Sequence, residues 1–332
     1  MSVVLVVVVG LLGGYVQVPY VALGPGPSYN TLGNDGPDPV VRVDGHPTFP
    51  TAGNLNMTTV SVTDQISLFG ALGMWASGDY ALAPRELYFP PGKTEQQVEQ
   101  ENTEEFNDSQ SQAETAALAH LHYPMKVVVG QLVRGTPADG ALRPGDRLNT
   151  VDGRPVTDPA SVTGIVAAHR PGDRIEIGFQ RAAEPPRTAS VQLADNPHRP
   201  GAGFLGISPA TRPDVPFHIS IKLADVGGPS AGLMFALAII DKLTPGELNG
   251  GHFVAGTGEI DDRGQVGRIG GIPFKLTRAR EAGATEFLVP EGNCSEAKAQ
   301  APDGLRLIRI STLDDAVHAL DALRTGQAPP SC

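Results

Sequence analysis

The spacing of hydrophobic and polar positions changes several times along the chain, and each change predicts an element. Residues 3–23, VVLVVVVGLLGGYVQVPYVAL, are almost wholly apolar, with Gln17 the one strongly polar side chain and no charged residue before Asp35. About 20 such residues suffice to cross a bilayer, so the run predicts a transmembrane anchor. No Lys or Arg precedes it, so flanking charge does not set its orientation. GPGPSYNTLGNDGPDP (24–39) is turn-rich and predicts an extended linker. VVRVDG (40–45) and LNMTTVSVT (55–63) alternate and are rich in β-branched residues, which predicts strands. ISLFGALGMWA (66–76) has helical spacing, with Trp75 as a core or interface residue.

Residues 93–121 form an acidic helical pattern whose charge predicts a solvated face; His120 and His122, two positions apart, diverge on a helix and read as structural. Beyond it the period shortens. KVVVGQLV (126–133), DRIEIGFQR (173–181) and TASVQL (188–193) predict strands, with SVTGIVAAH (161–169) a helix between them. NPHRPGAG (196–203) predicts a Pro/Gly linker, and VPFHISIKL (215–223) a strand that carries His218. GGPSAGL (227–233) then opens an unbroken apolar helix, MFALAIIDKL. Further strands are predicted at 251–260, 284–290 and 305–310, with a last helix at about 312–324.

Composition narrows the reading. A chain of 332 residues accommodates two or three domains. Aromatics make up 5%, while 40 Gly and 30 Pro indicate many turns. The net charge of −11, concentrated at 94–115, excludes nucleic acid as a partner. There is no GxxxxGK[ST] phosphate loop, no HExxH and no Cys/His cluster, so neither a cofactor nor a catalytic metal is expected. Ser295-Glu296-Ala297-Lys298 matches SxxK formally, but its companion SDN and KTG elements are missing, and a helix cap explains Ser295 better.

The candidate chemistry lies in 227–275. Pro229 suits a first helical turn, where its missing N–H is no loss. Ser230 then sits among the free N–H groups of a helix start, which are ready donors for an oxyanion. Ala231 and Gly232 are small enough for a substrate backbone to approach, and Gly228, Pro229 and Ala231 are expected to support the serine. The serine's base is either a histidine, His218 or His252, or a lysine whose pKa burial has lowered. Lys275, between Phe274 and Leu276, fits the second description.

Ser230 within GPSAG, Thr257 within TGEI, and Gly270-Gly271 followed by Lys275 together resemble the proteolytic domain of Lon (S16 family) proteases, over roughly 205–325. The resemblance implies a ribosomal S5 domain 2-like fold. It also implies a Ser–Lys dyad with Ser230 as nucleophile, Lys275 as general base and Thr257 holding the lysine. Gly227 stands where the family often has an acidic residue, and Asp225 is two positions earlier. GTPA and LRPGDRLNTVDG, within 134–153, resemble a PDZ domain of the bacterial protease-associated kind. Such a domain binds an extended peptide on an exposed strand edge. Its carboxylate-binding loop should precede KVVV, and LHYPM (121–125) offers no match.

The expected architecture is therefore α+β and multidomain: a transmembrane anchor (1–23), a linker (24–39), an α+β region surrounding the protease (40–123), a PDZ-like β-rich domain (124–195), a linker (196–204) and a Lon-type proteolytic domain (205–332). The expected function is that of an ATP-independent serine endopeptidase, single-pass in the cell membrane through contact of its N-terminal helix with the lipid bilayer. The catalytic domain is expected on the extracytoplasmic side, acting on flexible polypeptide segments that the PDZ domain helps to recognise. A homo-hexamer is expected from the same resemblance. In such a compartment Cys294 and Cys332 would form a disulfide pinning the C-terminal tail. The alternative from another class is a catalytically inert, membrane-anchored scaffold that binds peptides through its PDZ domain.

Overall fold

The computed structural model describes residues 13–224 and 226–332, which divide into two compact units, one formed by residues up to 121 together with 217–332, the other by 122–216.

The first unit is organised by a six-stranded mixed sheet in the order Arg306–Ile310, Glu286–Pro290, Phe253–Gly256, Asn54–Thr63, Tyr20–Asn30, Ala81–Pro84. The first four strands run parallel, and Tyr20–Asn30 and Ala81–Pro84 add antiparallel pairs. Glu286–Pro290 is buried along its whole length, as expected of a parallel strand covered on both faces. The Gly232–Leu243 helix is the centre of the core: of its twelve residues only Lys242 is not buried. Each fully buried Leu, Ile, Met or Phe contributes about 1.5–3 kcal/mol. This helix needs no polar face because protein surrounds it on all sides.

The N-terminal expectations require correction. Residues 3–12 of the apolar run lie outside the described residues. The rest of it does not continue as a membrane-spanning helix: Tyr20–Asn30 is a strand in the main sheet, with Val21 and Ala22 fully buried. Among the described residues no helix is long and apolar enough to cross a membrane, so neither the transmembrane anchor nor the single-pass membrane localisation is supported. The physical reason lies in composition. Val18, Val21, Pro19, Pro25 and Pro27 favour extended backbone and break helices. The turn-like GPGP is carried within the strand by a register shift between Pro25 and Ser28. The stretch expected to be a linker (24–39) is thus partly sheet, and the region expected to surround the protease supplies Asn54–Thr63, a strand inside it.

The acidic helix Glu95–His120, started by a Thr94/Gln97 capping box, keeps Glu95, Glu99, Glu101, Glu104, Glu105 and Asp108 exposed, as a solvated face requires. It buries a stripe of Phe106, Ser109, Ala113, Ala116 and Ala117, and Phe106 meets the Phe235 ring edge-on at 5.8 Å. At the C-terminus Cys294 and Cys332 are joined by a disulfide. The tail lies on the Arg306–Ile310 strand through Arg309 N to Pro330 O and Cys332 N to Leu307 O. Closing a loop of this size stabilises by roughly 4 kcal/mol in the chain-entropy account.

The second unit is a sheet ordered Arg187–Gln192, Arg174–Gln180, Arg147–Val151, Met125–Leu132, Ile207–Pro213, with the Pro159–Ala167 helix capped by Asp158. Period-2 burial is clear in Arg174–Gln180, where Ile175, Ile177 and Phe179 alternate with exposed or half-exposed residues. Residues 196–204, expected as a linker, are mostly a hairpin of Ala194–Asn196 with Arg199–Phe204. Ile207–Pro213 pairs along the edge of the sheet.

Candidate active site

The nucleophile turn forms where a glycine permits it. Gly228 takes φ +80°, a conformation that strains any residue with a Cβ. The helix proper starts at Gly232, so Pro229 and Ser230 lie in the turn just before its first residue and Ala231 is the cap. The turn is held from two sides. Asn102 O accepts from Gly228 N at 3.0 Å, and Ser109 Oγ donates to Pro229 O at 3.0 Å, both from the acidic helix. On the other side the Ser230 carbonyl accepts from Gly258 N at 2.9 Å and from Thr257 Oγ1 at 3.0 Å. These bonds tie Ser230 to the loop that follows the Phe253–Gly256 strand. Among the described residues, the N–H groups of Ser230 and Ala231 have no acceptor.

Lys275 arrives on the Ile272–Glu281 helix. Its N-cap, Gly271, has φ +68°, and a Cβ there would lie 2.6 Å from Val60 Cγ2. Glycine therefore lets this helix dock closely on the Asn54–Thr63 strand. Lys275 is 2% exposed, and its Nζ lies 2.8 Å from Ser230 Oγ and 2.9 Å from Thr257 Oγ1. Burial pushes its pKa down from 10.5 to about 8, against the opposing pull of the Glu259 carboxylate. Thr257 is fully buried and bridges the pair, accepting from the lysine while donating to the serine's carbonyl.

Ser230 and Lys275 face a cleft of about 560 Å³. Leu23, Val62 and Tyr88 line it with apolar and aromatic surface, and Glu259 supplies a carboxylate. Burial and the neighbouring Glu105 charge push the Glu259 carboxyl up, while Lys275 opposes them. Past Met57, where its pairing with the Phe253–Gly256 strand ends, the Asn54–Thr63 strand runs along this cleft.

The structure brings Ser230, Lys275, Thr257, Gly228, Pro229 and Ala231 together. It leaves His218 exposed on its strand, opposite Asp44, and puts His252 3.9 Å from Glu286. Among the described residues, no cluster of His, Cys, Asp or Glu is arranged to hold a metal. Two features escaped the sequence reading. One is the clamp by Asn102 and Ser109, signalled only by the small-residue stripe inside an acidic run. The other is a groove of about 240 Å³ in the second unit, walled by Val162, Thr163 and Val166 of its helix and by Leu205, Gly206 and Ile207. Its signal is GFLG (203–206), which straddles the end of the expected linker (196–204) and the expected start of the proteolytic domain at 205, whereas residues up to 216 belong to the second unit. Gly206 has φ +84°, and a Cβ there would lie 1.9 Å from Thr136 Oγ1, so the loop requires glycine.

Residues 190–322 match the Lon protease (S16) C-terminal proteolytic domain, and residues 96–193 match the PDZ domain. The chain is 36% identical over 138 residues to a Lon protease of Azospirillum brasilense, covering 40% of this chain and 17% of that protein. It is 35% identical over 111 residues to a Lon protease of Lachnoclostridium phytofermentans, covering 32% and 14% respectively. The chain therefore spans less than a fifth of the length of these curated relatives. Among solved structures, the PDZ domain of an SdrC-like protein from Listeria innocua is similar at 23% identity, covering 25% of this chain and 90% of that one, with a TM-score of 0.23.

Proposed function

From a chain that carries a Lon (S16) proteolytic domain and a PDZ domain, we propose a serine endopeptidase in which Ser230 is the nucleophile and Lys275 the general base. The similarity to Lon proteolytic domains supports serine-protease function. The observation that carries the finer reading is the 2.8 Å approach of a buried lysine amine to the serine hydroxyl.

Neutral Lys275 accepts the Ser230 proton as Oγ bonds to the scissile carbonyl carbon, whose π electrons move onto oxygen. The N–H groups of Ser230 and Ala231 are the available donors for that oxyanion. The lysinium then gives its proton to the departing amine as the C–N bond breaks, leaving an acyl ester on Ser230. Water attacks the ester, Lys275 takes its proton, and the second collapse returns that proton to Ser230. Thr257 keeps the amine aimed through both halves of the cycle. None of these steps consumes a nucleotide, so flexible peptides are hydrolysed without ATP.

The PDZ unit serves recognition in this reading. Ile207–Pro213 is an edge strand to which an extended peptide adds, with the Pro159–Ala167 helix as the opposite wall. Among the described residues, the N–H groups of Leu205 and Gly206 have no acceptor and suit a peptide's terminal carboxylate.

The test combines fluorophosphonate labelling with hydrolysis of a fluorogenic peptide, each run with and without ATP and Mg²⁺. Labelling and turnover are expected in the wild-type chain irrespective of ATP, and are expected to vanish in Ser230→Ala and Lys275→Ala. Labelling that survives in both variants discards the dyad.

A further inference from the structure

A second cavity, of about 830 Å³, adjoins the cleft of Ser230 and Lys275 and shares Val226 and Gly227 with it. Gly227 is three residues from Ser230, and three residues span at most about 10 Å. The cavity therefore begins within the length of two or three extended residues from Ser230.

The walls come from three separate segments, which makes the cavity a constructed feature of the unit rather than a dent in one loop. Asp35 and Asp38 come from the connection after the Tyr20–Asn30 strand, Glu99 and Asn102 from the acidic helix, and Lys222 from the approach to the nucleophile turn, with the buried Phe106 ring beneath. Three carboxylates thus face one ammonium. Among the described residues, none of the three carboxylates forms an ion pair, although Asp35 Oδ2 accepts weakly from Ala224 N at 3.4 Å. The same sign continues into the cleft, where Glu259 lies in the field of Glu105. Carboxylates held in a concave wall concentrate their potential on whatever enters.

Resting on the assignment of Ser230 and Lys275 as the reacting pair, we infer that this cavity is an extension of the substrate site and takes a lysine or arginine side chain of the bound polypeptide. The Asn102 side chain beside it offers donors and an acceptor to the substrate backbone. Glu99 and Asp38 are exposed, so solvent screens them, and the preference is selective rather than absolute.

The test uses the full chain and a set of fluorogenic peptides that differ only in one residue, lysine or glutamine, at each of the three positions on either side of the bond. At low salt, lysine at one position two or three residues from the bond is expected to raise kcat/KM roughly fivefold to tenfold over glutamine, as for a few partly screened charge pairs. The ratio is expected to shrink in 0.5 M NaCl, where the Debye length falls to about 4 Å. In Asp38→Lys/Glu99→Lys the preference is expected to invert, with a glutamate peptide now cleaved faster than the lysine one. A flat scan, or a lysine preference that survives the charge reversal, overturns the inference. Cleavage of the glutamine peptide by Ser230→Ala would instead overturn the catalytic assignment beneath it.

Discussion

The cleft of Ser230 and Lys275 and the groove of the PDZ unit are built on opposite physical principles. In the cleft, polar groups are drawn inward: Lys275 and Thr257 are almost or wholly buried and hydrogen-bonded to each other, and Lys275 also reaches Ser230 Oγ. The groove contains no comparable chemistry. Its walls are mainly Val162, Val166, Leu205 and Ile207, with Asn196 and Arg199 also lining it beside an edge strand of the sheet. The difference shows what each site needs. A base must lose its hydration, which only burial within a well-packed unit provides. A recognition groove must stay open to an incoming chain, so it uses an exposed edge and spends little on buried polarity. Substitutions should therefore act on the two sites with very different force.

The strongest way to break the comparison is Lys275→Met. Removing the amine is expected to lower kcat/KM by about 10³-fold or more, since the members of such a pair act as a unit. Thermal stability is expected to move the other way. Burial lowers the pKa of folded Lys275 from the ordinary lysine value of 10.5 to about 8. Between those values the unfolded chain binds more protons, so wild-type stability rises with pH across that window, and below about pH 8 the folded state carries the full burden of the buried charge. Relief of that burden is worth up to roughly 3 kcal/mol, offset in part by the hydroxyls left unpaired. A Tm at pH 7 that falls sharply in the variant would show that the amine is structural rather than a strained functional group.

Next in size is Thr257→Val, which keeps the volume but removes the acceptor for Lys275 Nζ and the donor to the Ser230 carbonyl. The loss of such bonds in a buried site predicts a fall of roughly 10- to 100-fold in kcat. Smaller again is the response of the wild-type enzyme to pH. Only the neutral amine accepts the serine proton, so kcat/KM is expected to climb through a half-maximum near pH 8 and to level off above it. A profile that keeps climbing with a midpoint near 10.5 would mean that Lys275 remains solvated in solution.

What the sequence made legible follows from how local each signal is. GGPSAGL and GGIPFK are short segments whose turn glycines, Gly228 and Gly271, and following helices can be read directly, and the family resemblance paired them. Their meeting, by contrast, depends on Gly271 packing against Val60 more than two hundred positions away, on a strand that no motif marks. In the N-terminal run apolar length reads as a membrane helix, whereas Val21, Pro25 and Pro27 favour the extended backbone that Tyr20–Asn30 adopts. The acidic run shows its solvated face plainly and its docking face poorly. Its charge dominated the average, and the stripe from Phe106 to Ala117 that docks against the core emerges only when the helical face is traced. GFLG straddles the expected linker and proteolytic domain, because its two glycines conceal a loop that the Thr136 contact makes obligatory.

The mildest effect should come from the groove, and it sharpens the comparison by affecting recognition alone. Thr163 is exposed on the groove helix. Thr163→Trp places an indole where a peptide side chain would lie while leaving the buried Val162 and Val166 untouched, so the unit should keep its fold. For an unfolded protein substrate that uses the groove, kcat/KM is expected to drop roughly three- to tenfold, the scale of about 1 kcal/mol of lost contact. The loss should appear in KM, because a group that never touches the reacting atoms stabilises ground state and transition state alike. A short fluorogenic peptide reports the Ser230 cleft alone, so the ratio of the two rates isolates the groove. If the indole instead lowers kcat for both substrates equally, the groove acts on the chemistry through the fold, and the division between a dry reacting site and an open recognising one no longer holds.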